Sequence, residues 1–358
     1  MPNDKNQAVN EFNQQVKPVS LWADAWKRLR KNRMALAGLW IVIIFAVVSI
    51  FAPILPFIDY AHQEMAFTNL PPSLRPAGEV ALTQAQKRID LLQGMVNQGR
   101  TDLQKDLDVA KATLDDLRST VDSDPSSKNI YIFGTDYLGR DVLSRTVYGG
   151  RISMLIGLVG TITALLIGVI YGAVAGYVGG RTDDIMMRIV DIMYGLPYMM
   201  IVIILMAMFS KEGQSSIFIL FIAIALVSWL TEARVVRGQF ISLKNAEFVE
   251  AAKSMGASST RIIFRHLLPN TLGVIVIFAT LSIPSFIMNE SFLSYLGLGV
   301  SAPLASWGTL VSEGVQGMEL YPWRLLTPAI AMIVFLFAMN FLGDGLRDAL
   351  DPQSKNRT

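Results

Sequence analysis

Six long apolar runs dominate this sequence and constrain its fold more than any other feature. A helix of about 20 apolar residues crosses the roughly 30 Å hydrocarbon core of a bilayer, because a helix satisfies its backbone polar groups internally. The fourth run is short and becomes adequate when it is extended to Val235. The runs are Met34–Leu55, Ile152–Tyr177, Ile189–Phe209, Ser216–Leu230, Leu272–Ile287 and Leu325–Leu342. We therefore predict an all-α polytopic membrane protein with six transmembrane helices.

The composition agrees with a membrane protein and argues against several other classes. Apolar residues make up 52% of the chain and charged residues only 17%, whereas soluble domains carry about 25% charged residues. A net charge of +2 gives no indication of nucleic-acid binding. The chain has no cysteine, which excludes disulfides and thiolate metal sites. The polar first 20 residues lack a signal-peptide core, so we expect the first run itself to direct targeting.

Basic residues at the ends of the runs predict the orientation in the membrane. Five of them precede the first run, between Lys27 and Arg33, and six lie between Arg234 and Arg265. By contrast, no Lys or Arg occurs between Asn289 and Trp323. Because loops with excess Lys and Arg stay inside, both termini are expected in the cytoplasm. The predicted organisation is a cytoplasmic segment (1–33), a first transmembrane helix (34–56), an external segment (57–150), a transmembrane core (151–343) with its main cytoplasmic loop at about 231–271, and a cytoplasmic tail (344–358).

The external segment contains two stretches with helical periodicity. Apolar residues recur three and four positions apart from Leu82 to Val96, and again from Leu103 to Val121. Such spacing on both sides of a glycine-containing turn predicts an antiparallel helical hairpin at about 79–121. The alternative is a pair of marginal helices that order only partly.

A small residue recurs at every fourth position in the second run, from Gly160 to Gly180. Small side chains let another helix approach closely, which is how many membrane helices associate. Packing within the chain is the simpler interpretation, and contact with another subunit is the alternative.

No catalytic or metal-binding constellation is evident. The chain lacks the G-x-x-x-x-G-K-[ST] phosphate loop, and no nucleophile is accompanied by a base. Its only histidines are His62 and His266, and the latter is expected to serve as a helix cap or packing residue. We therefore predict that the chain is not an enzyme and binds no metal or cofactor of its own.

The loop after the fourth run has the pattern of two short helices joined at a glycine. Ala246–Met255 is predicted to form a short helix that Gly256 ends, and a second helix is expected from about Ser258. Pro269 is expected to mark the start of the fifth transmembrane helix. A short helix, a glycine and another helix on a membrane surface can transmit force to a docked protein.

This loop resembles the EAA loop of ABC-importer permeases, since Glu250-Ala-Ala-x-x-x-Gly256 is followed by Leu268-Pro269. Further motifs resemble the dipeptide and oligopeptide (peptide/nickel) branch, most closely its C-type subunit. Ala305 stands where that branch frequently has proline. The resemblance covers about Arg28–Pro352 except for Glu79–Lys128. The motifs are Phe133–Arg145, Asp183–Asp191 with Gly195-Leu-Pro197, Glu290–Gly299 followed by Pro303 and Ser306-Trp307-Gly308, and Gly343–Pro352.

The resemblance implies a type I importer permease fold in the cell membrane, with coupling to ATPase subunits through the EAA loop. His266 stands where most members have a hydrophobic residue, as in the peptide branch. The implied coupling residues are Glu250, Ala251, Ala252, Gly256, Arg261, His266, Leu268 and Pro269, and the implied outer-loop motif is Gly134, Asp136, Gly139, Arg140, Asp141 and Arg145.

The same resemblance implies the partners of the chain. They are a homologous second permease subunit, two ATP-binding subunits that hold ATP and Mg²⁺, and an extracytoplasmic peptide-binding protein that delivers a peptide substrate. A same-branch permease for nickel-chelate or another small solute is one alternative. A membrane scaffold or sensor whose hairpin binds a partner is another, from a different class.

Glu290 is the carboxylate with the most unusual setting. It follows an apolar run near the outer leaflet, where a charge is costly unless it is paired or faces water. Asn289, Glu290 and Trp307 are therefore candidates for a pathway or gate, and a structural ion pair is the alternative. Few polar groups are expected at mid-membrane depth, so peptide selection is expected to fall largely on the binding protein.

Charged residues near the membrane surfaces are expected to play structural parts. Arg140, Arg145 and Arg151 could be solvated or paired with Asp136 and Asp141. Helix capping and salt bridges are expected of Asp183, Asp184, Arg188 and Asp191.

Overall fold

A computed structural model describes residues 21–209 and 217–350. Ser216, the tail beyond Leu350 with Pro352, and most of the predicted N-terminal segment lie outside these residues. Within them the chain is helical, and its only strand-like pairings are two isolated bridges. The helices are α1 (Leu21–Leu29), α2 (Arg33–Phe51), α3 (Ala77–Asn97), α4 (Gln104–Ser123), α5 (Val142–Val178), α6 (Gly180–Gly195), α7 (Tyr198–Phe209), α8 (Ile217–Ser228), α9 (Leu230–Leu243), α10 (Glu247–Ser254), α11 (Ser259–Tyr295), α12 (Trp307–Val315) and α13 (Trp323–Leu350).

Five of the described helical segments are long and apolar enough to cross a membrane, and a bent pair makes up to six. The predicted all-α membrane fold is therefore confirmed. The segments are α2, α5, the α8–α9 stretch Ile219–Leu243, α11 and α13, and the bent pair is α6 with α7.

The third predicted span is not a straight helix. Its two halves, α6 and α7, meet at an angle of 79°. Leu196 adopts an extended backbone conformation, with φ −91° and ψ 136°, and Pro197 follows it. A residue before proline is pushed out of the helical region by the proline ring, so the helix breaks there.

The helices also continue beyond the apolar runs that predicted them. Helices α5 and α11 each contain 37 residues, and α9 continues to Leu243. The loop expected at about 231–271 is therefore largely helical. Local capping residues, rather than hydropathy, set the ends of these helices. Asp141 caps the start of α5, Gly179 ends α5 with φ +70°, and Ser258 caps the start of α11.

Pro269 lies in the first turn of the α-helix Leu268–Tyr295, as predicted, but the helical segment as a whole begins earlier. Helix α11 starts at Ser259 and passes through the proline. The turn just before it, Ile263–Leu267, is a π-helix. Proline cannot donate the backbone bond of an α-turn, and a local π turn changes the hydrogen-bond register without ending the helix.

Helix α5 is the axis against which the other spans pack. Gly168 and Gly176 contact α9: a Cβ at Gly168 would lie 2.6 Å from Glu232 Cβ, and one at Gly176 would lie 2.7 Å from the Arg237 carbonyl oxygen. Nearer the start of the helix, Gly160 faces the Phe286 ring of α11. The small-residue stripe between these glycines thus serves packing within the chain.

The hairpin consists of α3 and α4, which run antiparallel. Gly78 at its base lies against Val121, and farther along Lys111 Nζ lies 3.5 Å from Gln93 Oε1. The seam between the helices buries the periodic apolar residues, including Ile89, Leu92, Leu107, Ala110 and Leu114. Together they form a core separate from that of the spans, and the hairpin stands at the end of the bundle where α5 begins.

Gly172 provides a test of this packing. Its α-carbon lies so close to α9 that an added Cβ would overlap the Ala233 carbonyl oxygen. We expect Gly172→Ala to lower stability by about 1–3 kcal/mol, the usual cost of overpacking. The measurement is the thermal unfolding midpoint of the detergent-solubilised protein.

Gly238→Ala is the matched control, because a Cβ at Gly238 meets no atom within 4 Å. It should stabilise α9 by about 0.5–1 kcal/mol through helix propensity. Equal midpoints for the two variants would contradict the close approach of α5 and α9.

Candidate functional site

The segment between α9 and α11, residues 244–258, is here called the α10 loop. Helix α10 has acidic residues in its first turn and Lys253 in its last turn, which matches the helix dipole. It ends in a Schellman arrangement. The Gly256 N–H donates to the Lys253 carbonyl oxygen at 2.9 Å, and the Ala257 N–H donates to that of Ala252 at 3.0 Å. Gly256 has φ +79°, which favours glycine at this position.

Helix α10 buries one face and exposes the other. Val249 and Ala252 are buried, and Val249 packs in a cluster that includes Phe240 of α9 and Ile262 of α11. The opposite face leaves apolar side chains in the open, since Met255 is 81% exposed. Other exposed apolar residues here are Phe248 and Phe264. Apolar side chains exposed together are typical of an interaction surface.

The predicted coupling residues divide into two groups. Ala252 is buried and Leu268 packs against the same cluster, so these two hold α10 to the bundle. His266 is half-buried, and its carbonyl oxygen accepts a 2.6 Å hydrogen bond from Asn270 Nδ2. The exposed members are Glu250, Ala251, Gly256, Arg261 and Pro269.

Polar contacts tie the α10 loop to the spans. Lys253 Nζ donates to the Lys244 carbonyl oxygen at 3.3 Å, and Lys244 Nζ reaches the Gly176 carbonyl oxygen of α5 at 3.2 Å. Nearby, Arg237 of α9 forms a bidentate ion pair with Asp183 of α6, at 2.5 and 2.6 Å. These contacts link the α10 loop to α5, and α9 to α6.

The outer-loop motif forms a buried charge cluster at the other end of α5. Asp136, Arg140 and Arg145 are each less than 5% exposed. Asp136 Oδ2 accepts from Arg140 Nε and Arg145 Nη1, both at 2.7 Å. Arg145 Nη1 also donates to Glu313 Oε2 of α12 at 2.7 Å. The cluster fastens the segment before α5 to the helix that follows α11.

Asp141 does not pair with these arginines, contrary to one expectation. Its carboxylate caps α5 and accepts the Ser144 N–H at 2.9 Å. Burial raises the pKa of the Asp141 carboxyl group, against the opposing effect of the hydrogen bonds from Ser144. Arg151, the third arginine of the prediction, is exposed.

Both glycines of the outer-loop motif occupy positions that other residues would strain. Gly134 and Gly139 have φ +76° and +74°. A Cβ at Gly139 would overlap the Glu64 carbonyl oxygen, and one at Gly134 that of Leu70. These glycines therefore let the segment fold back on residues 64–70.

Glu290 of α11 and Trp307 of α12 lie where these two helices meet. Glu290 is fully buried, and its Oε1 accepts hydrogen bonds from the hydroxyls of Ser294 and Ser306, each at 2.6 Å. Ser306 caps α12, so this carboxylate lies near the N-terminus of a helix, where negative charge is favoured. Trp307 Nε1 donates to the Thr146 carbonyl oxygen of α5 at 2.9 Å.

Asn289 faces a different space, a polar cavity of about 500 Å³. We call it the α11 cavity. It lies where the bend between α6 and α7 and the junction of α8 and α9 leave room beside α11. Its polar lining comprises Tyr194, Tyr198, Ser228, Thr231, Glu232, Ser282, Ser285 and Asn289.

The α11 cavity was missed from the sequence, which led us to expect few polar groups at mid-membrane depth. The structure brings several polar groups of different helices together inside the bundle. Ser282, Ser285 and Asn289 recur three and four positions apart, a spacing that brings residues to one helix face. Glu232 follows the fourth apolar run directly, within two residues of its predicted end. These two signals together could have indicated a polar face inside the bundle.

The part of the chain that the structure describes contains no group of three His, Cys, Asp or Glu residues that could hold a metal ion.

Comparison with known proteins gives consistent matches. Residues 164–356 match the family described as binding-protein-dependent transport system inner membrane component, and residues 20–72 match the N-terminal TM domain of oligopeptide transport permease C. The oligopeptide transport system permease protein OppC of Bacillus subtilis is 40% identical over 94% of this chain and 91% of its own length. The dipeptide transport system permease protein DppC of the same organism is 40% identical over 97% and 91%. OppC of Haemophilus influenzae is 51% identical over 64% and 73%.

Arg145 allows the buried charge cluster to be tested. Replacing it by methionine removes the 2.7 Å contacts to Asp136 and Glu313 and leaves both carboxylates to Arg140, whose Nη2 lies 3.5 Å from Glu313 Oε2. We expect Arg145→Met to destabilise the protein by about 3–5 kcal/mol, as for other broken buried ion pairs. The measurement is the thermal unfolding midpoint.

Arg118→Met serves as its control, because Arg118 lies in an exposed pair with Asp115, 3.4 Å apart. Exposed pairs contribute about 0–1 kcal/mol. A similar small loss for both variants would mean that the cluster does not hold the outer loop.

Proposed function

This chain belongs to the family of binding-protein-dependent transport system inner membrane components, and from that premise we propose that it is a transmembrane subunit of an ABC importer for peptides. The observation that best supports this proposal is the 40% identity of the chain to an oligopeptide and a dipeptide permease over more than nine tenths of its length. A permease subunit is a transport component, so the chain is not an enzyme and ATP hydrolysis belongs to partner subunits.

The peptide assignment is favoured over its alternatives. Both of these relatives are named as peptide permeases, and no observation on this chain favours a nickel-chelate. The scaffold or sensor alternative explains the hairpin, but it does not account for a polar cavity inside the spans.

In the proposed mechanism, the exposed face of α10 docks on an ATP-binding subunit. Met255, Phe248 and Phe264 supply the apolar contact area, and Glu250 and Arg261 supply charge around it. ATP and Mg²⁺ on the partner subunits supply the energy for the movement of α10. Since Lys244 and Val249 tie α10 to α5, α9 and α11, those helices tilt with it. Small displacements of packed helices can switch a bundle between discrete arrangements.

The excess of Lys and Arg near α10 favours a cytoplasmic position for that end, with both termini on the same side. The hairpin end then faces outward, where an extracytoplasmic binding protein would deliver peptide. A homologous permease subunit would complete the translocation pathway, and Asn289 would line the part of the pathway that this chain forms. Glu290 and Trp307 would support this pathway by holding α12 against α11 and α5.

Gly256 tests the coupling role of α10. Leucine is strained at φ +79°, by about 1–2 kcal/mol for a left-handed conformation, so Gly256→Leu should misplace the end of the docked helix. We expect ATP hydrolysis to continue while peptide uptake per ATP hydrolysed falls severalfold. Both rates are measured on the complete importer in proteoliposomes.

The control is Gly94→Leu in the hairpin, where a Cβ meets no atom within 4 Å and φ is not positive. It should leave uptake per ATP at the wild-type value. Normal coupling in the Gly256 variant would rule out α10 as the coupling element.

The hairpin can be removed as a unit, because its two ends lie side by side. The Ala77 N–H donates to the Asn129 carbonyl oxygen at 2.8 Å. Joining Pro76 to Asn129 therefore needs little rearrangement. We expect this deletion to retain the ATP-binding subunits in co-purification, because α5 separates the hairpin from α10 by about 55 Å, at 1.5 Å per helical residue.

Met255→Asp is the comparison variant, since it places a charge in the exposed apolar face of α10. It should release the ATP-binding subunits. Loss of these subunits from the hairpin deletion instead would show that the docking face has been assigned to the wrong end.

A further inference from the structure

Glu232 carries a carboxylate that is buried in the helix bundle just past the end of the fourth apolar run. It is 4% exposed and lies near the centre of the segment Ile219–Leu243. Its Oε1 accepts a hydrogen bond from Ser282 Oγ at 3.0 Å. Its Oε2 has no hydrogen-bond partner, and no Lys, Arg or His of the described ranges forms an ion pair with it. A carboxylate in this setting is costly unless it faces water or a cation.

This carboxylate differs from the other buried acids of the bundle. Asp136 is matched by two arginines, and Glu290, whose Oε2 also lacks a hydrogen-bond partner, accepts two hydroxyl hydrogen bonds at Oε1 beside a helix N-terminus. Neither of them lines the α11 cavity. Glu232 does line it, next to hydroxyl and amide groups. Its second oxygen is thus an acceptor without a hydrogen-bond partner, buried within the wall of this space, which a turn of the side chain would bring to the cavity.

The α11 cavity has the size of a ligand site. Its volume of about 500 Å³ lies within the roughly 300–1,000 Å³ of small-molecule pockets. The apolar part of its wall, from Leu196, Val227 and Phe286, would accommodate side chains of varied shape. Its polar part is concentrated on α9 and α11. The position of Glu232 on this wall is fixed from behind by Gly168, since a Cβ there would lie 2.6 Å from Glu232 Cβ.

We propose that Glu232 receives a primary ammonium group of the peptide during its passage through the α11 cavity. This inference rests on the proposed peptide import. An ammonium group has three donors, which the carboxylate of Glu232, the hydroxyl of Ser285 and the amide oxygen of Asn289 are able to accept. Every unmodified peptide that does not begin with proline carries such a group at its N-terminus, and lysine side chains carry another.

The pairing would be selective without being specific for sequence. A charge-assisted hydrogen bond to the ammonium is about twice as strong as a neutral one, and it is common to all peptides with a free amino group. The permease would then contribute to selection alongside the binding protein, by favouring substrates that neutralise Glu232. Ser282 is a positioning residue, because its hydroxyl occupies the first carboxylate oxygen and leaves the second for the substrate.

The test uses the complete importer in proteoliposomes, with binding protein preloaded with one peptide at a time. The probes are trialanine, N-acetyl-trialanine and N-acetyl-Ala-Lys-Ala. We expect Glu232→Gln to reduce the ratio of trialanine to N-acetyl-trialanine uptake about tenfold relative to wild type, the scale of a hydrogen bond to a charged group. Because the same binding protein serves both variants, its own preference cancels in this comparison.

The third probe distinguishes the two sources of ammonium. If N-acetyl-Ala-Lys-Ala loses uptake in Glu232→Gln as trialanine does, the site accepts either group; if it does not, the site accepts the N-terminal group. Glu232→Asp should retain part of the wild-type ratio, because the charge is kept. Glu290→Gln removes a buried carboxylate outside the cavity and should leave the ratio unchanged, even if total uptake falls.

An unchanged ratio in Glu232→Gln, with uptake of all peptides lowered equally or not at all, would overturn the ammonium site while leaving the proposed function intact. Absence of ATP-dependent trialanine uptake by the wild-type importer would overturn the proposed function, and the ammonium site with it.

Discussion

Close approach of helix backbones along α5 is the contact on which the rest of the bundle depends. Lipid chains are as apolar as the side chains that face them, so apolar burial alone does not drive membrane helices together. The glycines of α5 allow near-backbone contact with α9 over Gly168–Gly176 and with the Phe286 side of α11 near Gly160. These two contacts place α9 and α11 beside each other. The wall of the α11 cavity, with Glu232 from one helix and Ser282 from the other, follows from that arrangement.

Buried charge is handled in three different ways within this bundle. At the hairpin end, Asp136 and Glu313 are matched by Arg145, and the resulting cluster holds two segments together. Glu290 is held by hydroxyls and by the start of α12. Glu290 and Glu232 both have one buried oxygen without a hydrogen-bond partner, but only Glu232 lines the α11 cavity. The first two arrangements hold helices together. The third places an unpaired carboxylate oxygen near a cavity, where a donor group of a passing substrate could bind it.

Much of the fold could be predicted because its causes are local in the sequence. Apolar runs fix the number of spans, and the spacing of Ile89, Leu92, Leu107 and Leu114 indicates the seam of the hairpin. The turn at Gly256 was also predicted, because glycine favours positive φ. Other features depend on neighbours distant in sequence. Arg145 pairs with nearby Asp136, one of the two partners that the sequence indicated, but it also pairs with Glu313, 168 residues away, which the sequence did not indicate. The helix through Pro269 could not be anticipated either, because a π turn absorbs the missing hydrogen bond.

The sequence by itself determined that this chain is a membrane protein with about six spans, a helical hairpin and an exposed helix–glycine–helix loop. Periodicity, run length and turn chemistry are properties of short segments, and those segments keep them in any tertiary context. Only the tertiary structure decided which buried acids are paired and which one faces a cavity. The immediate sequence neighbours of Glu232, Asp136 and Glu290 do not distinguish these carboxylates. What separates them is which helices pack against each, and that depends on where α6 bends and how closely α5 lets α9 approach.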